Sequence, residues 1–237
     1  MGDIISFVGH KGGTGKSTLA RAFATEAAKA NSNVLIADLD DTQRTSWEWG
    51  QRRAANQLLP PIGVEVLPRL QVFTRAADID LLIVDAPGWA DASSLWLAQG
   101  SQLTVLPTGA TVDDLNPTIR LMHQLMNHGL ADWRVAIALC RVHSDADAAF
   151  ARDYLRQAKY KALPAELRER KGYSDLHNIG RAVTEGPASL SREPLELTHA
   201  IAAALERSRR KTKALERDAG PARLVRSRDP DRDRGDR

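Results

Sequence analysis

The sequence predicts an α/β fold, a doubly wound and mostly parallel sheet with helices on both faces. Short apolar segments alternate with longer amphipathic ones, which is typical of strands and helices in a parallel sheet. Some of the short segments, such as residues 81–84, are apolar throughout, as expected when helices cover both faces of the sheet. With 237 residues, 43% of them hydrophobic, the chain can bury one substantial core.

The predicted elements follow one another in this alternating order. Strands are predicted at residues 4–9, 34–38, 64–67, 81–85, 103–107 and 135–140. Helices are predicted at residues 16–30, 46–57, 92–99, 115–127 and 146–158, with a closing helix at 195–205. The apolar content then falls, so we predict one folded domain over residues 1–206. Residues 207–237 are predicted to form a basic tail that is disordered, or helical only at its start.

Charge is distributed unevenly along the chain. The formal net charge is +3, yet residues 207–237 alone contain twelve Lys and Arg against six Asp and Glu, so the rest of the chain is net negative. No apolar segment approaches the ~20 residues needed to cross a bilayer. We therefore expect a cytoplasmic protein without stable membrane insertion.

The only cysteine, Cys140, excludes several classes of site. One cysteine cannot form a disulfide within the chain, and zinc and iron–sulfur sites need several ligands. Cys140 lies in an apolar segment, so it is predicted to be a core thiol.

A glycine-rich loop follows the first predicted strand and leads into the first predicted helix. Glycines allow backbone N–H groups to approach phosphate oxygens closely, and the start of the helix also faces the anion. In such a loop Lys16 contacts the β- and γ-phosphates, while the Ser17 hydroxyl ligates Mg²⁺. The common pattern has glycine where this chain has His10, and a second lysine, Lys11, follows it. The predicted nucleotide-binding residues are Lys11, Gly12, Gly13, Thr14, Gly15, Lys16, Ser17 and Thr18.

These residues resemble the deviant Walker A box of the ParA/MinD superfamily of ATPases. Residues 36–43, which include Asp38 and Asp40, resemble the switch segment of that family, although two residues stand where a proline is common. Residues 81–88, which include Asp85, are similar to its Walker B strand. Residues 107–115 and 169–173 resemble later family segments more weakly. The resemblance covers residues 3–205.

The resemblance implies a role for each of these side chains. Asp38 and Asp85, at the ends of predicted strands, would hold Mg²⁺ or a water of its shell together with Ser17. Asp40 would orient the attacking water; the alternative is that it caps a helix or lies in a solvated turn. Lys11 would reach across a dimer to the nucleotide of the partner, in the manner of an arginine finger. The predicted catalytic residues are Lys11, Lys16 and Asp40, and the predicted cofactors are ATP and Mg²⁺.

Within the family, the chain resembles the small ParA type. That type dimerises on ATP, binds DNA without sequence preference and partitions plasmids or chromosomes with a ParB-like or adaptor protein that stimulates hydrolysis. Such a protein would be nucleoid-associated. One alternative is a MinD-like membrane-cycling regulator, which would need bulky apolar residues in an amphipathic C-terminal helix. The other is a ParA-like positioning ATPase for a non-DNA cargo, which would share the same motor.

Two basic regions are candidates for DNA contact, and the alternative is that each is a solvated face. The candidate residues of the folded region are Arg152, Arg156, Lys159, Lys161, Arg168, Arg170 and Lys171. Those of the tail are Arg207, Arg209, Arg210, Lys211 and Lys213. Trp47, Trp49 and Trp89 follow the switch and Walker B segments, where packing explains them better than nucleotide sensing or dimer contact.

Overall fold

The computed structural model describes residues 2–88 and 92–218. The strands are β1 (Asp3–Gly9), β2 (Val34–Asp38), β3 (Gly63–Val66), β4 (Leu81–Gly88), β5 (Leu103–Thr108), β6 (Val135–Val142) and β7 (Ala162–Arg168). The helices are α1 (Lys16–Lys29), α2 (Thr45–Ala55), α3 (Val72–Arg75), α4 (Ala92–Gly100), α5 (Val112–Asn127), α6 (Asp145–Gln157), α7 (Lys171–Asn178) and α8 (Ala188–Asp218).

All the paired strands run parallel in one sheet, in the order β3-β2-β4-β1-β5-β6-β7. Both faces of this sheet are covered. Alternate residues of β1 enter different cores: Ile5 and Phe7 pack with α1 and α8 residues, whereas Ile4 and Val8 pack with α4 and α5 residues. The predicted doubly wound α/β fold is therefore confirmed.

The chain order places three loops together at one edge of the sheet. From β1 the chain crosses to β2 on one side, and it later returns to β5 on the other side. Parallel α/β sheets bind ligands where the strand order reverses, beyond the carboxyl ends of the strands. Asp38 of β2 lies in register with Asp85 of β4, and Phe7 of β1 also pairs with Asp85. The predicted loop and both strand-end carboxylates therefore share one edge, which we call the carboxyl edge.

The sequence-based prediction missed β7, α3 and α7. The β7 segment contains Pro164 and the charged residues Glu166 and Arg168, and it pairs only with β6 at the end of the sheet. Edge strands tolerate proline and charge, so they lack the apolar signal of a central strand.

The closing helix is much longer than predicted, and the predicted boundary between residues 206 and 207 falls inside it. The Ser208 hydroxyl is buried and donates a hydrogen bond to the Gln102 carbonyl at 2.5 Å. The Lys211 ammonium lies 4.6 Å from the centroid of the Trp133 ring. Residues 207–218 are thus helical, which agrees with a helical start of the tail, and Ser208 and Lys211 contact the folded domain. Residues 219–237 lie outside the described residues. No described helix is both long enough and apolar enough to span a membrane.

Candidate functional site

The loop between β1 and α1 has the backbone geometry of a phosphate cradle. Gly13 and Gly15 have φ angles of +74° and +102°, a region that L side chains rarely adopt. A Cβ on Gly15 would also lie 3.1 Å from the Cys140 sulfur. Cys140 is fully buried, which raises the pKa of its thiol to about 12, so the prediction of a core thiol is confirmed. Its packing against Gly15 fixes the loop at the start of α1.

The two lysines of the loop point in different directions. Lys16 is only 7% exposed, and its ammonium donates to the Lys11 carbonyl at 2.8 Å. Burial lowers the pKa of Lys16, and the charges of Asp85 and Asp40 oppose that shift. The side chain of Lys11 is 44% exposed and forms an ion pair with Asp114 of α5 at 3.1 Å. The structure therefore places Lys16 inside the site and Lys11 beside it.

Asp85 has one oxygen that is held and one that is free. Its Oδ2 accepts a hydrogen bond of 2.6 Å from the Ser46 hydroxyl. Its Oδ1 is buried without a hydrogen-bond partner among the described residues, and Asp85 lines a cavity together with Lys16 and Ser17. Burial raises the pKa of Asp85, opposed by the Ser46 hydrogen bond and the charge of Arg21. An unpaired buried carboxylate oxygen beside a serine hydroxyl fits Mg²⁺ or one of its waters.

The protein supplies few ligands of its own to such an ion. No cluster of three or more His, Cys, Asp and Glu side chains within the described ranges could hold a metal. Mg²⁺ is commonly held by one or two carboxylates together with substrate phosphates. The residues present therefore fit Mg²⁺ that arrives with a nucleotide.

Asp38 lies at the predicted place, but both of its carboxylate oxygens accept hydrogen bonds from backbone N–H groups. Its Oδ2 accepts from the N–H groups of Ser46 at 2.8 Å and Trp47 at 3.0 Å, and its Oδ1 accepts from the Asp40 N–H at 3.1 Å. These bonds satisfy amides at the start of α2 that have no partner within the helix. Asp38 thus anchors the switch segment, and its contact with metal remains a prediction.

Asp40 forms a local turn and also lines the candidate site. Its Oδ1 accepts from the N–H groups of Thr42 at 3.2 Å and Gln43 at 2.8 Å, which makes a local turn. The residue also lines the cavity of about 230 Å³ that contains Asp85 and Lys16. Asp40 therefore lines the same cavity as Asp85 and Lys16 while it stabilises its own loop, and its part in orienting the attacking water stays a prediction.

A second cavity, of about 390 Å³, adjoins the first one at Gly13, Lys16 and Ser17. Its wall is formed by the phosphate loop, the ends of β6 and β7, and one side of α7. We call it the nucleoside cavity, since it extends from the phosphate cradle away from the metal site. The side chains that complete it were not predicted to bind nucleotide: Arg141, Arg168, Glu169, Arg170, Tyr173, Ser174 and His177.

Sequence signals for this wall were weak but present. Residues 169–173 matched a late family segment, and they contribute Glu169, Arg170 and Tyr173 to the cavity. Arg141 gave no signal, yet its backbone holds φ +54° at the end of β6 and its guanidinium lies beside Gly13. Non-glycine residues in this conformation cluster at functional sites.

The seven basic residues of the folded region do not form one surface. Arg152 is held by the carbonyls of Leu163 and Pro164 and by Glu166 at 2.7 Å. Arg168 and Arg170 line the nucleoside cavity and both pair with Glu193. Arg156, Lys159, Lys161 and Lys171 complete the set, with Arg156 paired to Asp153. Because β7 separates its two ends, the stretch contributes to opposite edges of the sheet.

The basic residues of α8 lie far from the phosphate loop. Arg209 pairs with Asp3 at the start of β1 and with Glu206. The phosphate loop follows the other end of β1, seven residues and roughly 20 Å away. Arg207, Arg210 and Lys213 are exposed and have no ion pair within the described part of the chain. We call this edge of the sheet, which also carries Lys159 and Lys161, the amino edge.

The two described tryptophans that follow the switch segment differ in exposure. Trp49 is fully buried and its indole N–H donates to the Arg181 carbonyl at 3.1 Å, so packing explains it. Trp47 is 36% exposed. Trp89 lies outside the described residues.

His177 should make stability depend on pH. Burial and then the charges of Arg21 and Arg52 lower its pKa to about 4. The unfolded chain, with a histidine pKa near 6.5, binds more protons between about pH 4 and 6.5, so this contribution to stability is lost as pH falls through that window. Relative to His177→Gln, wild type should lose up to about 1.4 kcal/mol of unfolding free energy per pH unit there. Urea unfolding at pH 7 and pH 5 measures this difference.

The matched control for that experiment is His199→Gln, which changes an exposed histidine of α8. It shows what the loss of a histidine from an exposed position does to unfolding under the same conditions. Equal pH dependence in wild type and His177→Gln would mean that His177 titrates normally in the folded chain.

Comparison with known proteins agrees with this geometry. Residues 5–186 match the family model of the CobQ/CobB/MinD/ParA nucleotide binding domain. No curated protein sequence matches the chain. Solved structures with the same fold include the septum site-determining protein MinD of Pyrococcus horikoshii with Mg-ADP, which has a TM-score of 0.65, 17% identity, and coverage of 85% of this chain and 96% of that one.

Two further structures are similar at the same level. A plasmid partition protein of Borrelia burgdorferi bound to AMPPNP has a TM-score of 0.67 and 14% identity, and the match covers 86% of this chain and 99% of that one. An ATP complex of a variant McdA from Cyanothece has a TM-score of 0.64 and 14% identity, with coverage of 85% and 96%. The family model covers well over half of this chain, so the chain belongs to the CobQ/CobB/MinD/ParA nucleotide-binding family and is a ParA/MinD-superfamily ATPase that uses ATP and Mg²⁺.

Proposed function

We propose that this chain is a ParA-type ATPase: it dimerises on ATP, binds DNA without sequence preference, and partitions a plasmid, a chromosome or another cargo. A ParB-like or adaptor protein would stimulate its hydrolysis. The observation that carries the proposal is the placement of the two loop lysines. Lys16 is buried with its ammonium on the Lys11 carbonyl of its own loop, whereas the ammonium of Lys11 lies at the surface on Asp114.

Lys11 is available to a second subunit once it leaves Asp114. Hydrogen bonds from Thr111 and Lys11 lower the pKa of Asp114 against the effect of its burial. A pair with this exposure contributes little stability, about 0–1 kcal/mol, so a phosphate of a partner's nucleotide can compete for Lys11. The ion pair would therefore keep Lys11 at the surface and still allow it to move to the nucleotide of a partner subunit.

Within one subunit, each side chain of the site would have a separate role in binding or hydrolysing ATP. Lys16 would contact the β- and γ-phosphates, and the amides of residues 12–16 would bind phosphate oxygens. Ser17 and Asp85 would hold Mg²⁺, which neutralises phosphate charge when it is bound. Asp40 would orient water towards the γ-phosphate. The nucleoside cavity would take the base and ribose.

DNA binding is proposed at the amino edge of the sheet. Arg207, Arg210 and Lys213 of α8 and Lys159 and Lys161 before β7 are exposed or partly exposed cations there. None of the five has an ion pair among the described residues. A surface of this kind contacts phosphates and not base edges, so binding should be independent of sequence. A dimer would offer two copies of it to a long DNA molecule, so ATP should strengthen retention.

Salt dependence tests the DNA surface. The double variant Arg207→Gln, Arg210→Gln should lower the slope of log affinity against log salt by about 2, because each lost phosphate contact removes about 0.9. The measurement is retention on random-sequence DNA over a salt series, with and without ATP. The matched control, Arg181→Gln with Arg192→Gln, removes two exposed charges from the other parts of the fold and should leave the slope unchanged.

Two results would contradict this proposal. Wild type that shows no ATP-dependent retention at low salt would exclude DNA as its partner. Equal slopes in the test and control variants would move the contact away from the amino edge.

An anionic membrane is the alternative surface. In residues 207–218 the one large hydrophobic side chain that is exposed is Leu215, at 56%. One leucine gives little apolar area to enter a bilayer, so DNA is favoured. Retention on anionic vesicles but not on DNA, tested in parallel, would reverse this choice.

A further inference from the structure

A buried chain of hydrogen bonds lies behind the free oxygen of Asp85. The Ser46 hydroxyl donates to Asp85 Oδ2 at 2.6 Å, and the Arg21 Nε donates to the Ser46 oxygen at 3.1 Å. Ser46 is fully buried and Arg21 is 5% exposed. A hydroxyl has one proton, and Arg21 can only donate. The Ser46 proton must therefore point to Asp85, which fixes the direction of the whole chain.

These hydrogen bonds determine which oxygen of Asp85 is left without a partner. With Oδ2 held by Ser46, Oδ1 is left beside Ser17 and Lys16 with no partner in the described parts of the chain. Without the Ser46 hydroxyl, the carboxylate could rotate about its terminal bond, whose energy profile is broad. The hydroxyl thus orients the metal-facing oxygen without contacting the metal position itself.

Arg21 is an unusual cation for a protein interior. Within the described ranges it has no carboxylate within ion-pair distance, and the negative charges that act on it most strongly are those of Asp85 and Asp38. Its guanidinium lies 5.8 Å from the centre of the Trp49 ring, and Arg53 lies 5.5 Å from the same ring. Arg53, by contrast, is matched by a two-pronged contact with Glu185 at 2.7 and 3.0 Å. A buried cation without its own partner is costly, so the site carboxylates are what balance Arg21.

Ser46 also joins the two carboxylates to α2. Its backbone N–H donates to Asp38 at 2.8 Å, while its side chain donates to Asp85 at 2.6 Å. A change at Asp85 therefore reaches the first turn of α2, and Trp49 lies three residues further along the same helix.

We propose that Arg21 and Ser46 are positioning residues that fix Asp85 with its free oxygen towards Mg²⁺ and link that oxygen to the start of α2. The inference rests on the proposed nucleotide and metal site and is independent of DNA binding. Second-layer hydrogen bonds of this kind commonly change metal affinity by about 10- to 100-fold.

The experiment measures metal and nucleotide affinity separately in the full chain. Mn²⁺, as a paramagnetic substitute for Mg²⁺, is titrated in the presence of ATP, and ATP binding is titrated in EDTA. Ser46→Ala should weaken Mn²⁺ affinity by about tenfold or more and leave metal-free ATP binding within about twofold. Ser46→Thr keeps the hydroxyl and should restore Mn²⁺ affinity. The control Ser101→Ala removes a buried serine hydroxyl that bonds the Leu97 carbonyl away from the site, and should behave as wild type.

Arg21→Gln tests whether Arg21 and Ser46 act on Asp85 through the same chain of hydrogen bonds or independently of each other. It should reproduce the loss of Ser46→Ala, and the double variant should be no worse than either single one, because both act through Asp85. Unchanged Mn²⁺ affinity in Ser46→Ala would overturn the inference, as would an equal loss of metal-free ATP binding. A wild-type chain that binds ATP no better with metal than without it would overturn the proposed site itself.

Discussion

Lys16→Ala should abolish ATP binding. Lys16 is buried and its ammonium bonds the Lys11 carbonyl within the phosphate loop, so its removal would leave the bound phosphates without the cation that the loop itself supplies. Loss of one partner of a buried charge pair costs several kcal/mol, so affinity should fall on the order of 100-fold or more. Titration with fluorescent ATP measures the change.

The control for this variant is Lys29→Ala at the other end of α1, where the lysine pairs only with Glu26 on the surface. It should bind ATP as wild type does. If Lys16→Ala kept its affinity for ATP, the assignment of the phosphate site would have to be abandoned.

Asp40→Ala and Lys11→Ala should separate hydrolysis from dimerisation. Asp40→Ala leaves the phosphate cradle and Lys11 intact, so it should bind ATP and accumulate as a dimer while turnover falls by about 100-fold or more. Lys11→Ala should bind ATP and remain monomeric, since it lacks the cation that reaches the partner. Light scattering with ATP gives the mass, and phosphate release gives the rate.

Asp114→Asn is the matched variant for Lys11. It removes the surface ion pair while it keeps the lysine, so ATP-dependent dimerisation should persist. A monomeric Asp40→Ala, or a dimeric and fully active Lys11→Ala, is incompatible with this division of roles.

Short-range patterns made the fold and the phosphate loop predictable from sequence. The buried strands β2 and β4 each begin with a run of apolar residues, and an aspartate of the candidate site, Asp38 or Asp85, follows that run. The glycines at 13 and 15 stand where the backbone needs positive φ, so the loop could be recognised without tertiary information. The same reasoning failed at β7, because an edge strand with Pro164 and alternating charges has no such pattern.

Contacts between distant segments could not be predicted in this way. Nothing local indicates that Arg21 would be buried next to Ser46, or that Arg168 and Arg170 would line the cavity beside the phosphate loop. Basic residues were grouped by their proximity in sequence, yet β7 carries the two ends of that group to opposite edges of the sheet. The length of the C-terminal helix was underestimated because Ser208 and Lys211 contact Gln102 and Trp133, which lie 106 and 78 residues earlier in the chain.

The mass of the wild-type chain in solution with Mg-ATP tests the central claim most directly. One chain has a mass of 26.0 kDa. Light scattering should give that mass without nucleotide and with ADP, and about twice that mass with saturating Mg-ATP, where Lys11 would engage the partner's nucleotide. A single-chain mass under all three conditions, in wild type and in Asp40→Ala alike, would contradict the proposal that ATP drives dimerisation.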